Sequence, residues 1–241
     1  WQKSERGLIK SAPKAPANPA SLGILSLGVF ASDTSVYNTM PNGSRRMGGT
    51  MLGLDLKAEG WLTKNYFLIF EMAQSRGTLR RVSGTSNDHQ VSAVNSVFKF
   101  LGGYKYFPIG FSYGPQLNLF GGYVSYASQL DYSRPDGFSK SSIADFLIGT
   151  SLQFPLNQKF SVFSEAEFIP QSGLLNTGSR SSSLKSVSAT ELELGMRYQL
   201  NPRTTADFSL ELNSRKAKFN SLYSQLSYQE NRLKVGASYS F

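Results

Sequence analysis

The chain closes on Arg232–Phe241, R-L-K-V-G-A-S-Y-S-F. Leu233, Val235, Ala237, Tyr239 and Phe241 fall on one side of an extended backbone. Arg232, Lys234, Gly236, Ser238 and Ser240 fall on the other. Successive side chains of a strand point to opposite faces, so this period of two describes a strand with one apolar and one polar face. It ends on the ring of Phe241, and an aromatic at a strand end suits a boundary between an apolar and an aqueous phase.

Nine further segments repeat the pattern, each of 9–16 residues, enough for a tilted strand to cross a bilayer. They are Ser21–Ser32, Thr50–Glu59, Tyr66–Ser75, Val91–Tyr104, Phe111–Tyr126, Ile143–Phe154, Phe160–Ile169, Ala189–Leu200 and Thr205–Asn213. In the eighth, Leu192, Leu194, Met196, Tyr198 and Leu200 alternate with Glu191, Glu193, Arg197 and Gln199. The tenth begins as early as Leu222. Its apolar face changes parity near Glu230–Asn231, where a bulge is expected. The connections alternate in length. Gly60–Asn65, Phe107–Gly110, Pro155–Lys159 and Asn201–Thr204 are short and carry turn residues. Asp33–Gly49, Arg76–Gln90, Asp131–Ser142, Pro170–Ser188 and Ser214–Ser221 read as long loops. The fold class expected is all-β: an antiparallel, up-and-down transmembrane β-barrel of about ten strands, with short periplasmic turns and longer extracellular loops. A water-soluble barrel also alternates, but gives no reason for one-sided loop lengths.

Composition agrees. The 241 residues include 17 Phe and 12 Tyr, the rings that interface girdles use. No run of 18 apolar residues offers a transmembrane helix. The absence of Cys excludes disulfides and thiolate metal sites, and a single His, His89, excludes sites needing two imidazoles. No cofactor is expected. Residues 1–20 are rich in Lys, Arg, Pro and Ala without an apolar core, and read as a periplasmic N-terminal arm preceding a barrel over 21–241.

The closing strand resembles the C-terminal signal of bacterial outer-membrane β-barrel proteins, carried here by Lys234, Gly236, Tyr239 and Phe241. The resemblance implies insertion by the barrel-assembly machinery, an outer-membrane location and periplasmic termini.

The alternation sorts the charges. Asp55, Glu59, Glu71, Asp145, Glu165, Glu167, Glu191, Glu193, Asp207 and Glu211 should face the lumen, with Lys57, Lys99, Arg197, Arg232 and Lys234. Glu165, Glu167, Glu191 and Glu193 share one hairpin and need compensation, either by those bases or by a bound cation. With formal charge +9, the remaining bases concentrate in the long loops: Arg45, Arg46, Arg76, Arg80, Arg81, Arg134, Lys140, Arg180, Lys185, Arg215, Lys216 and Lys218. Guanidinium and ammonium groups there suit lipopolysaccharide phosphates, another anionic ligand or a protein partner, which the N-terminal arm could also engage. No segment resembles a nucleic-acid recognition module. Three functions follow in order. First comes a non-enzymatic membrane anchor or scaffold, then a narrow cation-preferring channel. The third is a rim hydrolase using His89 with Asp88 and Ser83 or Ser86.

Overall fold

A computed structural model describes residues 22–40, 43–81, 90–109, 114–130, 140–172, 184–220 and 225–241. The strands are β1 (Gly23–Met40), β2 (Gly43–Trp61), β3 (Tyr66–Arg81), β4 (Gln90–Tyr106) and β5 (Gln116–Leu130). They continue with β6 (Lys140–Pro155), β7 (Phe160–Ser172), β8 (Leu184–Asn201), β9 (Thr204–Phe219) and β10 (Gln225–Ser240). Each pairs antiparallel with its sequence neighbours, and β1 pairs with β10 from Ile24↔Ser240 to Thr39↔Gln225, closing the barrel. Closure satisfies the backbone groups that lipid could not. The seal is completed at the termini, where Leu22 N donates to Phe241 O and Phe241 N to Gly23 O.

The end carrying Leu22 and Phe241 holds three connections of two to four residues and one of nine, and is here termed the turn end. Three of the four turns match the expected ones. The fourth runs over 107–115, because β5 starts at Gln116 and not at Phe111. Aromatic side chains ring this end: Trp61, Tyr66, Tyr104, Tyr106, Phe160, Tyr239 and Phe241 are all exposed. Tyr66 meets Tyr104 edge-on, with ring centroids 5.4 Å apart, across the β3–β4 pair.

The strands are longer than the expected segments, at 13–19 residues. Most of what read as long loops is strand. Asp33–Gly49 is the top of β1 and β2, paired up to Met40↔Gly43. Arg76–Arg81, Ser214–Phe219 and Leu184–Ser188 likewise extend β3, β9 and β8. The reason is visible along β10. Near the turn end Leu233, Val235 and Tyr239 point out while Arg232 and Lys234 point in. Further along, Leu226 and Tyr228 are buried inward, while Gln225, Ser227, Gln229 and Asn231 lie on the outer face. The expected bulge at Glu230–Asn231 is absent: both β10 ladders run in register through it. The apolar face changes sides because the surroundings of the wall change, from lipid to water.

The same inversion runs round the barrel. Outward Leu52, Met72 and Leu212 give way to Thr50, Gln74 and Ser214. Inward, Val36, Leu79, Ile169, Val187, Ala217, Phe219 and Leu226 are buried at the far end, the upper part of a cluster that continues down the barrel through Val97 and Phe30. A 16-residue strand is roughly 50 Å long, or about 40 Å along the axis at 40° tilt, against an apolar band of about 25 Å. About 15 Å of barrel therefore projects beyond the band as a water-facing cap with its own core.

Inside, four phenylalanines stand directly opposite glycines on the next strand: Phe30↔Gly53, Phe67↔Gly103, Phe120↔Gly149 and Phe163↔Gly195. A Cβ on Gly53 would lie 2.2 Å from Phe30 Cζ, so the ring occupies the space that glycine leaves. Such aromatic–glycine pairs fix the register of neighbouring strands.

The inversion is testable on one face of one barrel. Leu54→Arg, in the lipid band, should cost roughly 2–4 kcal/mol of unfolding free energy in lipid vesicles. Gln229→Arg, outward on the cap, should cost almost nothing. Equal losses in the two urea titrations would show that the boundary is misplaced.

Candidate functional site

Two charge assemblies stand out, one inside the barrel and one on its cap. The inner one is centred on Lys99 of β4, 1% exposed. Its Nζ donates to Glu167 Oε2 at 2.6 Å and Glu191 Oε1 at 2.9 Å, and lies 3.4 Å from Glu71 Oε1. Glu71 is its cross-strand neighbour on β3, but Glu167 and Glu191 stand on β7 and β8, across the lumen. Lys57 of β2 spans the lumen likewise, 3.5 Å from Glu165 and 4.0 Å from Glu71. Lys234 of β10 contacts Asp55 at 2.9 Å, Glu211 at 3.2 Å and Glu193 at 3.4 Å. Arg232 completes the layer with Glu211 and Glu230, both at 2.8 Å, and its guanidinium lies 4.7 Å over the Phe30 ring. Strand alternation dictates this: every second residue of a band strand faces the lumen, and a charge there needs a partner within reach.

The four glutamates of the β7–β8 hairpin do come together. Glu165↔Glu193 and Glu167↔Glu191 are direct cross-strand pairs. Lysines from the opposite wall compensate them. Among the described residues no group of three carboxylate or imidazole side chains is arranged to hold a metal ion.

Toward the turn end, Arg197 is bound by Asp207 at 3.1 Å and Gln153 at 2.9 Å, with the Phe163 ring 4.5 Å away. Lys105 pairs with Glu59 and lies over the Trp61 ring at 4.7 Å. These groups border a cavity of about 260 Å³, which Gln116 and Asn118 also line. Toward the far end the network passes into Arg215, stacked between Tyr126 at 4.3 Å and Tyr228 at 4.1 Å, and 3.6 Å from Glu230. Beyond it stands the apolar cluster.

Lys57, Glu71, Lys99, Glu165, Glu167, Glu191, Glu193, Arg197, Asp207, Glu211, Arg232 and Lys234 thus all face the lumen. Arg215 is corrected from a loop base to a buried lumen base, 7% exposed. Glu230 and Lys105 join it as charged groups that the shorter strands left out. Each continues a parity already visible: Arg215 follows Glu211 and Asn213, Glu230 precedes Arg232, and Lys105 follows Lys99 and Leu101.

The outer assembly is also on strands and not in loops. Arg45 and Arg46 lie on β2, Arg80 and Arg81 end β3, Lys140 starts β6, and Lys216 and Lys218 lie on β9. Arg46, Arg80, Lys216 and Lys218 point outward and are exposed. Arg134, His89 with Asp88, Ser83 and Ser86, and the arm over 1–20 lie outside the described residues. In the closing motif, Lys234 is tied into the lumen, Gly236 faces Gly28 across the closing seam, and Tyr239 and Phe241 stand in the turn-end girdle.

Lys99→Met removes the hub and leaves Glu71, Glu167 and Glu191 facing one another. Loss of one partner of a buried pair costs about 3–5 kcal/mol, read as a lower urea midpoint in vesicles. Adding Glu167→Gln and Glu191→Gln should restore much of that loss. A Lys99→Met barrel as stable as the wild type would remove the hub role.

No protein-family model matches the sequence, and no curated protein matches it. Solved structures do. The outer-membrane protease OmpT from Escherichia coli superposes with a TM-score of 0.58 at 10% identity, over 92% of this chain and 98% of that one. The translocator domain of the autotransporter NalP from Neisseria meningitidis gives 0.45 at 14% identity, over 90% and 88%. The outer-membrane protein OprG from Pseudomonas aeruginosa gives 0.42 at 14%, over 92% and 96%. At such identities the likeness is one of architecture, and OmpT carries it. The chain has the fold of the small bacterial outer-membrane β-barrel proteins, all-β and antiparallel, closed at ten strands.

Proposed function

We propose that this protein is a sealed outer-membrane barrel acting non-enzymatically as a membrane anchor or scaffold. Its turn end and termini face the periplasm, and its cap faces outward to meet an anionic surface ligand or a partner protein. The observation that carries this is the filled lumen. Lys99 and Glu211 are 1% exposed and Glu230 fully buried, so among the described residues the centre of the charge layer is closely packed. The apolar cluster of the cap forms a second closure above it. The orientation rests on the usual placement of short turns at the periplasmic side and of the projecting portion outside.

A narrow cation-preferring channel is the alternative, favoured by the excess of lumen acids over bases. It requires a continuous wet path, and both layers weigh against one. The basic arm over 1–20 is a further place for a partner to dock.

Purified barrel in a planar bilayer should stay electrically silent, and steady single-channel openings would replace the scaffold reading with the channel. Co-purification in mild detergent, with and without residues 1–19, assigns the partner to the arm or to the cap. Recovery of the barrel alone in both cases would leave the scaffold without its support. A hydrolytic activity lost on His89→Ala would move the function to the rim.

A further inference from the structure

The cations of the cap are not spread evenly. Lys216 of β9 pairs with Ser227 of β10, Ser227 with Tyr37 of β1, and Tyr37 with Arg46 of β2. All four face outward, so they form one row across four adjacent strands. Lys218 stands two residues further along β9. On the β3 side, Arg80 pairs with Gly48, two residues from Arg46. Lys185 is the extra residue where the β8–β9 register shifts between Leu184 and Ser186, and it too is exposed. Asp33, at the lower edge, is the acid among the described outward residues of this sector. The opposite outer wall, from β4 to β7, carries Ser92, Ser96, Ser125, Ala127 and Gln129, with Lys140 its described cation.

We infer that this sector, from β9 through β10 and β1 to β3, binds the phosphorylated disaccharide headgroup of an outer-leaflet glycolipid. This rests on the orientation proposed above. Three strand spacings separate Lys216 from Arg46, about 14 Å in all. That span suits a disaccharide phosphorylated at both ends, with Lys216 and Lys218 on one phosphate and Arg46 and Arg80 on the other. Tyr37, 41% exposed between them, offers a ring face and a hydroxyl to the sugar. The height fits as well. Leu233, Ala31 and Leu52 close the apolar band beneath the row, so acyl chains would lie along the band with the headgroup at the cations. Ser35, Ser44, Gln225 and Gln229 surround the row with neutral donors and acceptors. Arginine and lysine paired with phosphate give charge-assisted contacts that a neutral lipid cannot supply.

Native mass spectrometry of the intact chain in detergent, titrated with diphosphoryl lipid A, tests this. Binding should be retained by Lys140→Ala and fall roughly tenfold for each phosphate contact removed, through Arg46→Ala and through Lys216→Ala with Lys218→Ala. Monophosphoryl lipid A should bind about tenfold more weakly than the diphosphoryl form, and phosphatidylglycerol more weakly again. The inference is overturned if the combined variant binds like the wild type, or if Lys140→Ala loses as much. It is also overturned if inorganic pyrophosphate competes as well as the lipid, which would make the sector a site for free anions. Orientation is read separately. The chain has no cysteine, so Ser44→Cys on whole cells should react with a membrane-impermeant maleimide. An unlabelled Ser44→Cys with intact lipid binding in detergent would overturn the proposed orientation and leave the site standing.

Discussion

A strand that leaves the bilayer keeps its hydrogen-bond ladder and its alternation but changes its solvent. Everything in this barrel follows from that constraint. The ladders run unbroken from turn end to far end on β1 and β10, so each side chain's direction is fixed by parity alone. Within the band the outward set must be apolar, and the inward set is free to be charged. On the cap the outward set meets water, and the inward set must supply whatever holds the far end together. The result is an interior that mixes charges with apolar side chains within the band and turns apolar at the far end, the change falling at Arg215, Tyr126 and Tyr228. Those rings suit the junction, since a guanidinium stacks on an aromatic face without giving up its edge to hydrogen bonds.

The ionic interior is a specificity device more than a source of net stability. Desolvating so many charges offsets most of their Coulombic attraction. What the network gives is discrimination. A one-residue slip of β7 against β8 would turn Glu165 and Glu167 out into lipid and bring Phe168 in. Lys99, Lys57 and Lys234 reach across the lumen, so they tie distant strands and not merely neighbours. The four Phe–Gly pairs act in the same sense by shape. Register is thus specified twice, by charge and by packing.

Strand number, alternation and the lumen direction of the band charges were legible from residues alone, because lipid imposes a period of two that little else would sustain over ten segments. The strand ends were not. A search for apolar-outward alternation stops where the outward residues turn polar, so Ser214–Phe219 read as a loop although Arg215, Ala217 and Phe219 already formed an inward stripe. The same cause hid Glu230 and produced the bulge assigned to Glu230–Asn231. A parity inversion within one continuous segment has two explanations, an inserted residue or a change of medium. The segment alone does not separate them, but the partner strands do. Outward Asn231 pairs with Asp33 on one side and outward Leu212 on the other, so the neighbours turn polar within a residue or two of the same level.

The charges and the apolar core also depend on each other. Glu167 and Glu191 stay close because Lys99 donates to both, and burial strengthens those contacts. The apolar cap core excludes water from one side. On the other, Arg197, Lys105 and their partners end the network against a cavity with a largely polar lining. With much of its interior taken up by this network and core, the cylinder presents its remaining chemistry on its wall and its ends. On that wall the charge is one-sided, because the outer faces of β9, β10, β1, β2 and β3 carry the cap's exposed Lys216, Lys218, Arg46 and Arg80 while β4 to β7 are almost neutral. Packing inside the barrel does not require that asymmetry, since none of those four side chains reaches the lumen.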